Sequence, residues 1–161
     1  MTKLGELAER VGAGLKKRGE TVAVSESSSG GLVSAALLAI PGASAYFMGG
    51  AVVYTRDAKM ALLEIPGKTL DEIRSSSEPH AMMMARTVRE KLGTDWGIAE
   101  TGAAGPTGNR YGDDAGHVCV AISGPVEIVT TVETGKSDRA ENMQVFAEAA
   151  LTLADKTMNK G

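Results

Sequence analysis

One cysteine, Cys119, stands in a chain of 161 residues, so no intramolecular disulfide can form and a disulfide-stapled scaffold is excluded. Two histidines and that cysteine are too few to close a His/Cys metal site, and no carboxylate spacing suggests a metal held by oxygen alone. Aromatic residues make up only 4 %, which disfavours a base-stacking platform for single strands. A basic surplus is missing too: 17 Lys+Arg against 20 Asp+Glu leave a net charge of -3, the wrong sign for a general nucleic-acid binder. No apolar run approaches the ~18 residues of a membrane span, and the charged start MTKLGELAERVGAGLKKRG does not read as a signal peptide. The expectation is a cytoplasmic protein with neither nucleic acid nor membrane as partner.

What the chain does have is apolar residues, 43 %, enough for a packed core, and glycine. Twenty glycines in 161 residues is well above the usual ~7 %, so backbone freedom is concentrated somewhere. The length suggests a single domain over 1–161.

Helices and short strands alternate along the chain. Leu4, Leu7, Ala8, Val11 and Leu15 repeat at helical spacing up to a stop at Arg18-Gly19. Strands are expected at 21–25, 49–56 and 96–99, with helices following the first two and ending at Pro41-Gly42 and Pro66-Gly67. Ser77 is placed to cap a helix that runs to about Leu92, and Asp138 to cap the last one. HVCVAIS and VEIVTTVE, broken only by Gly124-Pro125, read as a hairpin. This pattern predicts an α/β fold with a mixed, mainly parallel sheet covered by helices on both faces. The Met-rich stretch at 82–84 and the first helix offer faces for a homo-oligomer, although core packing is the plainer account of both.

In such sheets ligands bind beyond the carboxyl ends of strands. Three segments fall there. SESSSGG (25–31) joins a strand to a helix; a serine there is more often a cap than a nucleophile, but three serines and two glycines exceed what a cap needs. Amides around Ser28, Ser29, Gly30 and Gly31 are expected to hold a phosphate or an oxyanion. YTRDAK (54–59) carries Lys59, ordinarily a solvated helix lysine, yet a base if desolvated in a crevice. TGAAGPTG (101–108) fits neither the dinucleotide nor the Walker pattern, but its small residues let a backbone approach a ligand closely. Thr101, at the expected strand end, would present a hydroxyl to the same crevice. Arg139, beside the capping Asp138, is either a surface residue or a phosphate partner.

ESSSGG (26–31), PGASAYFMGGAVVYTRDAKMALL (41–63) and TGAAGP (101–106), in this order, resemble the CinA C-terminal-domain family, over roughly Leu4 to Leu153. The resemblance implies a three-layer α/β/α sandwich with a mixed five-stranded sheet, and the family's characterised activity, nicotinamide-nucleotide amidase. Carried over by position, Ser27 is the expected nucleophile, Lys59 the base, and Thr101 a residue that orients Lys59 or the amide. Tyr54, Ser28, Ser29, Gly30, Gly31, Gly102, Gly105 and Arg139 are the expected substrate-binding positions. Nicotinamide mononucleotide is the implied small-molecule substrate, and the implied chemistry requires neither metal nor organic cofactor.

The chain departs from the family pattern at four places. Ser28-Ser29 stand for Cys-Thr, Glu100 for an apolar residue, Ser137 for glycine, and Met143 for a second arginine. The competing expectation is a non-catalytic nucleotide- or phosphate-binding regulatory module of the competence- and damage-inducible type. A structural partner of DNA-uptake machinery, a third reading, finds no support in the charge.

Overall fold

The computed structural model describes residues 1–160. The first helix, α1 (Lys3–Arg18), opens with the Thr2 hydroxyl accepting the Gly5 N–H and closes on Gly19, whose N–H reaches back to the Leu15 and Lys16 carbonyls. It is followed by β1 (Val22–Glu26), α2 (Leu32–Leu38), β2 (Phe47–Val52), α3 (Arg56–Leu63) and α4 (Gly67–Glu72). The second half comprises α5 (Glu78–Leu92), β3 (Trp96–Ala103), β4 (His117–Ser123), β5 (Ile128–Glu133) and α6 (Arg139–Met158).

The five strands form one sheet in the order β2-β1-β3-β4-β5. β1 pairs in parallel with both β2 and β3, whereas β3, β4 and β5 pair antiparallel. All five residues of β1 are buried, which is why it reads as an unbroken apolar run followed by Ser-Glu. Side chains alternate across the sheet. Val22, Val24, Ile98, Val120 and Ile122 face α1, α2 and α6, with Phe146 fully buried among them. Ala99, Cys119 and Ala121 face α5 through Ala81, Met84 and Ala85. The result is the expected α/β/α sandwich with its mixed five-stranded sheet. No helix among the described residues is long and apolar enough to cross a membrane.

Three elements differ from the expectation. β2 ends at Val52 rather than running to 56, because the Thr55 hydroxyl accepts the Ala58 N–H and starts α3. α4 was not anticipated; it buries none of its residues and so leaves no apolar period. β3 extends four residues beyond Ala99, pairing as far as Ala103 with His117. Thr101 and Gly102 therefore lie within a strand, not in a glycine-rich loop. Gly102 is needed there because a Cβ would sit 2.5 Å from the His117 carbonyl oxygen.

Candidate active site

The segment after β1 is built around two buried carboxylates. Glu26 turns back under α2: one oxygen accepts the Ser29 hydroxyl and the Gly31 and Val33 N–H groups, the other the Ser34 N–H. Gly31, the N-cap, has a φ of 99 and no side chain, so Glu26 supplies the acceptor that a capping serine or aspartate would. Glu100, one strand over on β3, accepts the N–H groups of Ser27 and Ser29 on one oxygen, and shares the single Ser29 hydroxyl proton with Glu26, 2.7 Å from Oγ. Its second oxygen is buried without a partner. Burial pushes the Glu100 carboxyl above the ordinary range; bonds from Ser29 and Ser27 oppose this, and the charge of Glu26 adds to it.

The amides expected to hold an anion are thus largely committed. Among residues 27–34 only the Ser28 N–H has no acceptor. The hydroxyls are committed as well: Ser28 donates to the Gly102 carbonyl at 2.6 Å, and Ser29 lies between the two acids. Ser27 alone of the three serines carries a hydroxyl without a hydrogen bond to the protein, and it lines a cleft of about 280 Å3.

Lys59, one turn into α3, is only 4 % exposed and lines the same cleft. Its Nζ donates to the Ser75 hydroxyl at 3.1 Å and meets no carboxylate of the described residues within ion-pair distance. Burial pushes the amine below the usual lysine range, and the charge of Glu100 works the other way. Thr101 and Gly102 line the cleft from β3. The Thr101 hydroxyl accepts the Ser76 N–H at 3.0 Å.

Tyr54 forms one wall, more than half exposed, and its hydroxyl accepts from Arg139 at 3.0 Å. The other arm of Arg139 donates to the Gly105 carbonyl. Arg139 and Gly105 therefore brace the wall from outside the cleft. Gly30 and Gly31 do not line the cleft either: both have positive φ, and Gly30 lies beneath the Met143 methyl group. The sequence-derived residues thus divide in two. Ser27, Lys59, Thr101, Tyr54 and Gly102 meet at the cleft, while Ser28, Ser29, Gly30, Gly31, Gly105 and Arg139 surround it.

Sequence reasoning missed the rim. Asn109 folds residues 109–113 on themselves, its side-chain oxygen accepting from the Tyr111 and Asp113 N–H groups and its amide donating to the Asp113 carboxylate. Arg74 pairs with the same carboxylate. The Tyr111 ring has the Arg74 guanidinium 5.1 Å and the Arg110 guanidinium 5.0 Å from its centroid. Asn109, Arg110 and Tyr111 all border the cleft, and Arg110 has no carboxylate partner among the described residues. Asn109 and Asp113, four apart in an aperiodic stretch, were the available signal for this turn.

A smaller lobe of about 170 Å3 adjoins the cleft and shares Lys59, Ser75 and Tyr111 with it. His80 lines this lobe, fully buried, its Nδ1 on the Ile73 carbonyl and its Nε2 without a partner. Burial, and then the charge of Lys59, push its pKa down to about 4, so the ring is neutral and its Nε2 is an acceptor. A hollow of about 390 Å3 between α1 and α2 is roomier but has no carboxylate, lysine or histidine in its lining.

The model of the CinA C-terminal domain matches residues 4–158. A CinA-like protein of Chlorobium limicola is 39 % identical over 153 residues, 92 % of this chain and 36 % of its own length. One from Synechocystis is 45 % identical over 119 residues, 74 % of this chain and 29 % of its own. This chain therefore spans about a third of the length of these curated relatives. Among solved structures, a CinA superfamily protein from Klebsiella pneumoniae superposes with a TM-score of 0.91 at 26 % identity, each chain fully covered. The competence/damage-inducible protein CihA from Agrobacterium tumefaciens gives 0.88 at 30 % identity, with 99 % of this chain and 98 % of that one covered. With its whole sandwich and its cleft inside the matched residues, the chain belongs to the CinA C-terminal-domain family.

Proposed function

We propose that the protein is an amide hydrolase that converts nicotinamide mononucleotide and water to nicotinate mononucleotide and ammonia, in the recycling of pyridine nucleotides. One observation carries the reading: the single uncommitted serine hydroxyl of the turn and a desolvated lysine without a counter-ion line the same cleft. In this reading Ser27 Oγ attacks the carboxamide carbon while neutral Lys59 takes its proton. The Ser28 N–H, the free amide beside the nucleophile, donates to the oxyanion. The protonated Lys59 returns its proton to the departing nitrogen, releasing ammonia and leaving an acyl-serine. Water then adds to the ester carbonyl as Lys59 accepts its proton, and Lys59 passes that proton to Ser27 Oγ as the acid departs, restoring both residues. The test is ammonia release from nicotinamide mononucleotide, which Ser27→Ala is expected to abolish. Near-normal turnover in that variant refutes the assignment.

The second reading is a non-catalytic module that binds a nucleotide or phosphate. It is favoured by Arg110, a cation at the cleft mouth without a carboxylate partner among the described residues. Tight binding of nicotinamide mononucleotide by calorimetry, with no ammonia formed, decides for it.

A further inference from the structure

We propose that His117 is a positioning residue for Lys59, acting as an imidazolium through the turn Arg74–Ser77. The proposal rests on the reading of Lys59 as the base. His117 opens β4, on the same face of the sheet as Cys119. Its Nε2 lies 2.7 Å from the Ser76 carbonyl oxygen and its Nδ1 faces the Glu133 carboxylate. A carbonyl and a carboxylate only accept, so both ring nitrogens carry protons and the ring is charged.

The Nε2 bond acts on a strained turn. Ser76 has a φ of 59, a conformation serine seldom adopts unless its surroundings impose it. Its peptide groups are clamped on both sides: the N–H by the Thr101 hydroxyl, the C=O by His117 and, at 3.5 Å, by the Cys119 thiol. The neighbouring residue is Ser75, whose hydroxyl is the hydrogen-bond partner of Lys59 Nζ. Charge on His117 is thereby converted into placement of Lys59.

The charged groups around the ring are Glu133 on β5, Asp113 3.6 Å from Nε2, and, farther out, Arg74 and Glu78; Cys119 is its neighbour on β4. Burial works against the charge, but the bonds to Glu133 and Ser76, with Asp113 and Glu133 nearby, raise the pKa above 6.5. At higher pH the ring keeps one proton, on Nδ1 against the anionic Glu133 carboxylate; Nε2 then turns a lone pair to the Ser76 carbonyl oxygen, and the turn is released.

The test compares wild type with His117→Gln, whose neutral amide can keep the Ser76 bond at any pH, and His117→Ala, which cannot. The first readout is acetylation of Lys59 by acetic anhydride across pH, located by mass spectrometry, which needs no turnover. The second is kcat and KM for nicotinamide mononucleotide. His117→Ala is expected to move the midpoint of the Lys59 acetylation curve toward the ordinary lysine value. It should also lower kcat about 10- to 100-fold with KM little changed, the scale of one hydrogen bond to a charged group. The wild-type kcat should fall again at high pH as the imidazolium titrates, and His117→Gln should lack that fall. An unchanged Lys59 midpoint in His117→Ala overturns the proposal. If His117→Ala does not fold, equal high-pH losses in wild type and His117→Gln overturn it. If no ammonia forms with any protein, the amidase reading fails and the acetylation curves still decide on His117.

Discussion

The carboxylate of Glu100 accepts the backbone N–H of Ser27 at 2.8 Å, so the serine turn hangs from the strand beside its own. Glu100→Gln keeps an oxygen for the same amides and is expected to preserve the turn. The wild-type carboxyl is raised above 4.5, so the folded state keeps its proton to higher pH than the unfolded chain. Its stabilising contribution is complete below pH 4.5 and is lost as pH rises through the folded value. The variant lacks that loss and should gain on wild type above pH 4.5. Urea unfolding midpoints from pH 4 to 8 check this; curves that stay parallel contradict it. Glu100→Ala, which leaves the Ser27 and Ser29 amides without their acceptor, should cost about 1–3 kcal/mol.

Lys59 must be neutral to take a proton. Burial lowers its pKa from 10.5, so the rising limb of kcat against pH should be centred below that value. A limb at or above it speaks against Lys59 as the base. Lys59→Met and Lys59→Arg should both lose about 10²- to 10⁴-fold in kcat, since neither side chain can accept the proton.

The two arginines near the cleft should separate in steady-state kinetics. Arg110 is without a carboxylate partner among the described residues, and Arg110→Ala should raise KM for a phosphorylated substrate about 10-fold or more, a loss of roughly 1.5–3 kcal/mol. The Arg139 fork is committed to Tyr54 and Gly105, so Arg139→Ala should loosen the wall and lower thermal stability instead. If Arg139→Ala moves only KM, Arg139 rather than Arg110 meets the anion.

His80 is buried neutral, its pKa pushed from 6.5 to about 4. The unfolded chain therefore binds its proton first as pH falls, and folded stability declines between pH 6.5 and about 4. For a ring this deeply buried the loss is on the order of 3 kcal/mol. His80→Leu should flatten this part of the stability curve, as read by chemical denaturation at pH 4, 5, 6 and 7. An unchanged slope means that other groups cause the decline.

Much of the frame was legible because local chemistry marks it. Gly19, Ser77 and Asp138 cap the helices where their types suggest, and Gly124-Pro125 separates β4 from β5. β3 was misjudged because glycine normally argues against a strand, and only the closeness of β4 explains Gly102. Of the site, residues at strand ends were legible, and Ser27 and Lys59 do share a cleft. Ser75 and His117 were not, since the groups that face them, Lys59 and Ser76, lie 16 and 41 residues away along the chain. Glu100 was visible as a departure, but its grip on the serine amides is a property of β1 lying beside β3.

The start of α2 is self-occupied. Where many α/β folds leave amides open for a phosphate, this chain fills them with the carboxylates of Glu26 and Glu100. A guanidinium, Arg110, stands on the rim of the cleft that Ser27 lines. An anionic tail is accordingly turned away from the acid-filled turn and toward Arg110. In the proposed reading the charges of the cleft orient the ligand before any bond is made.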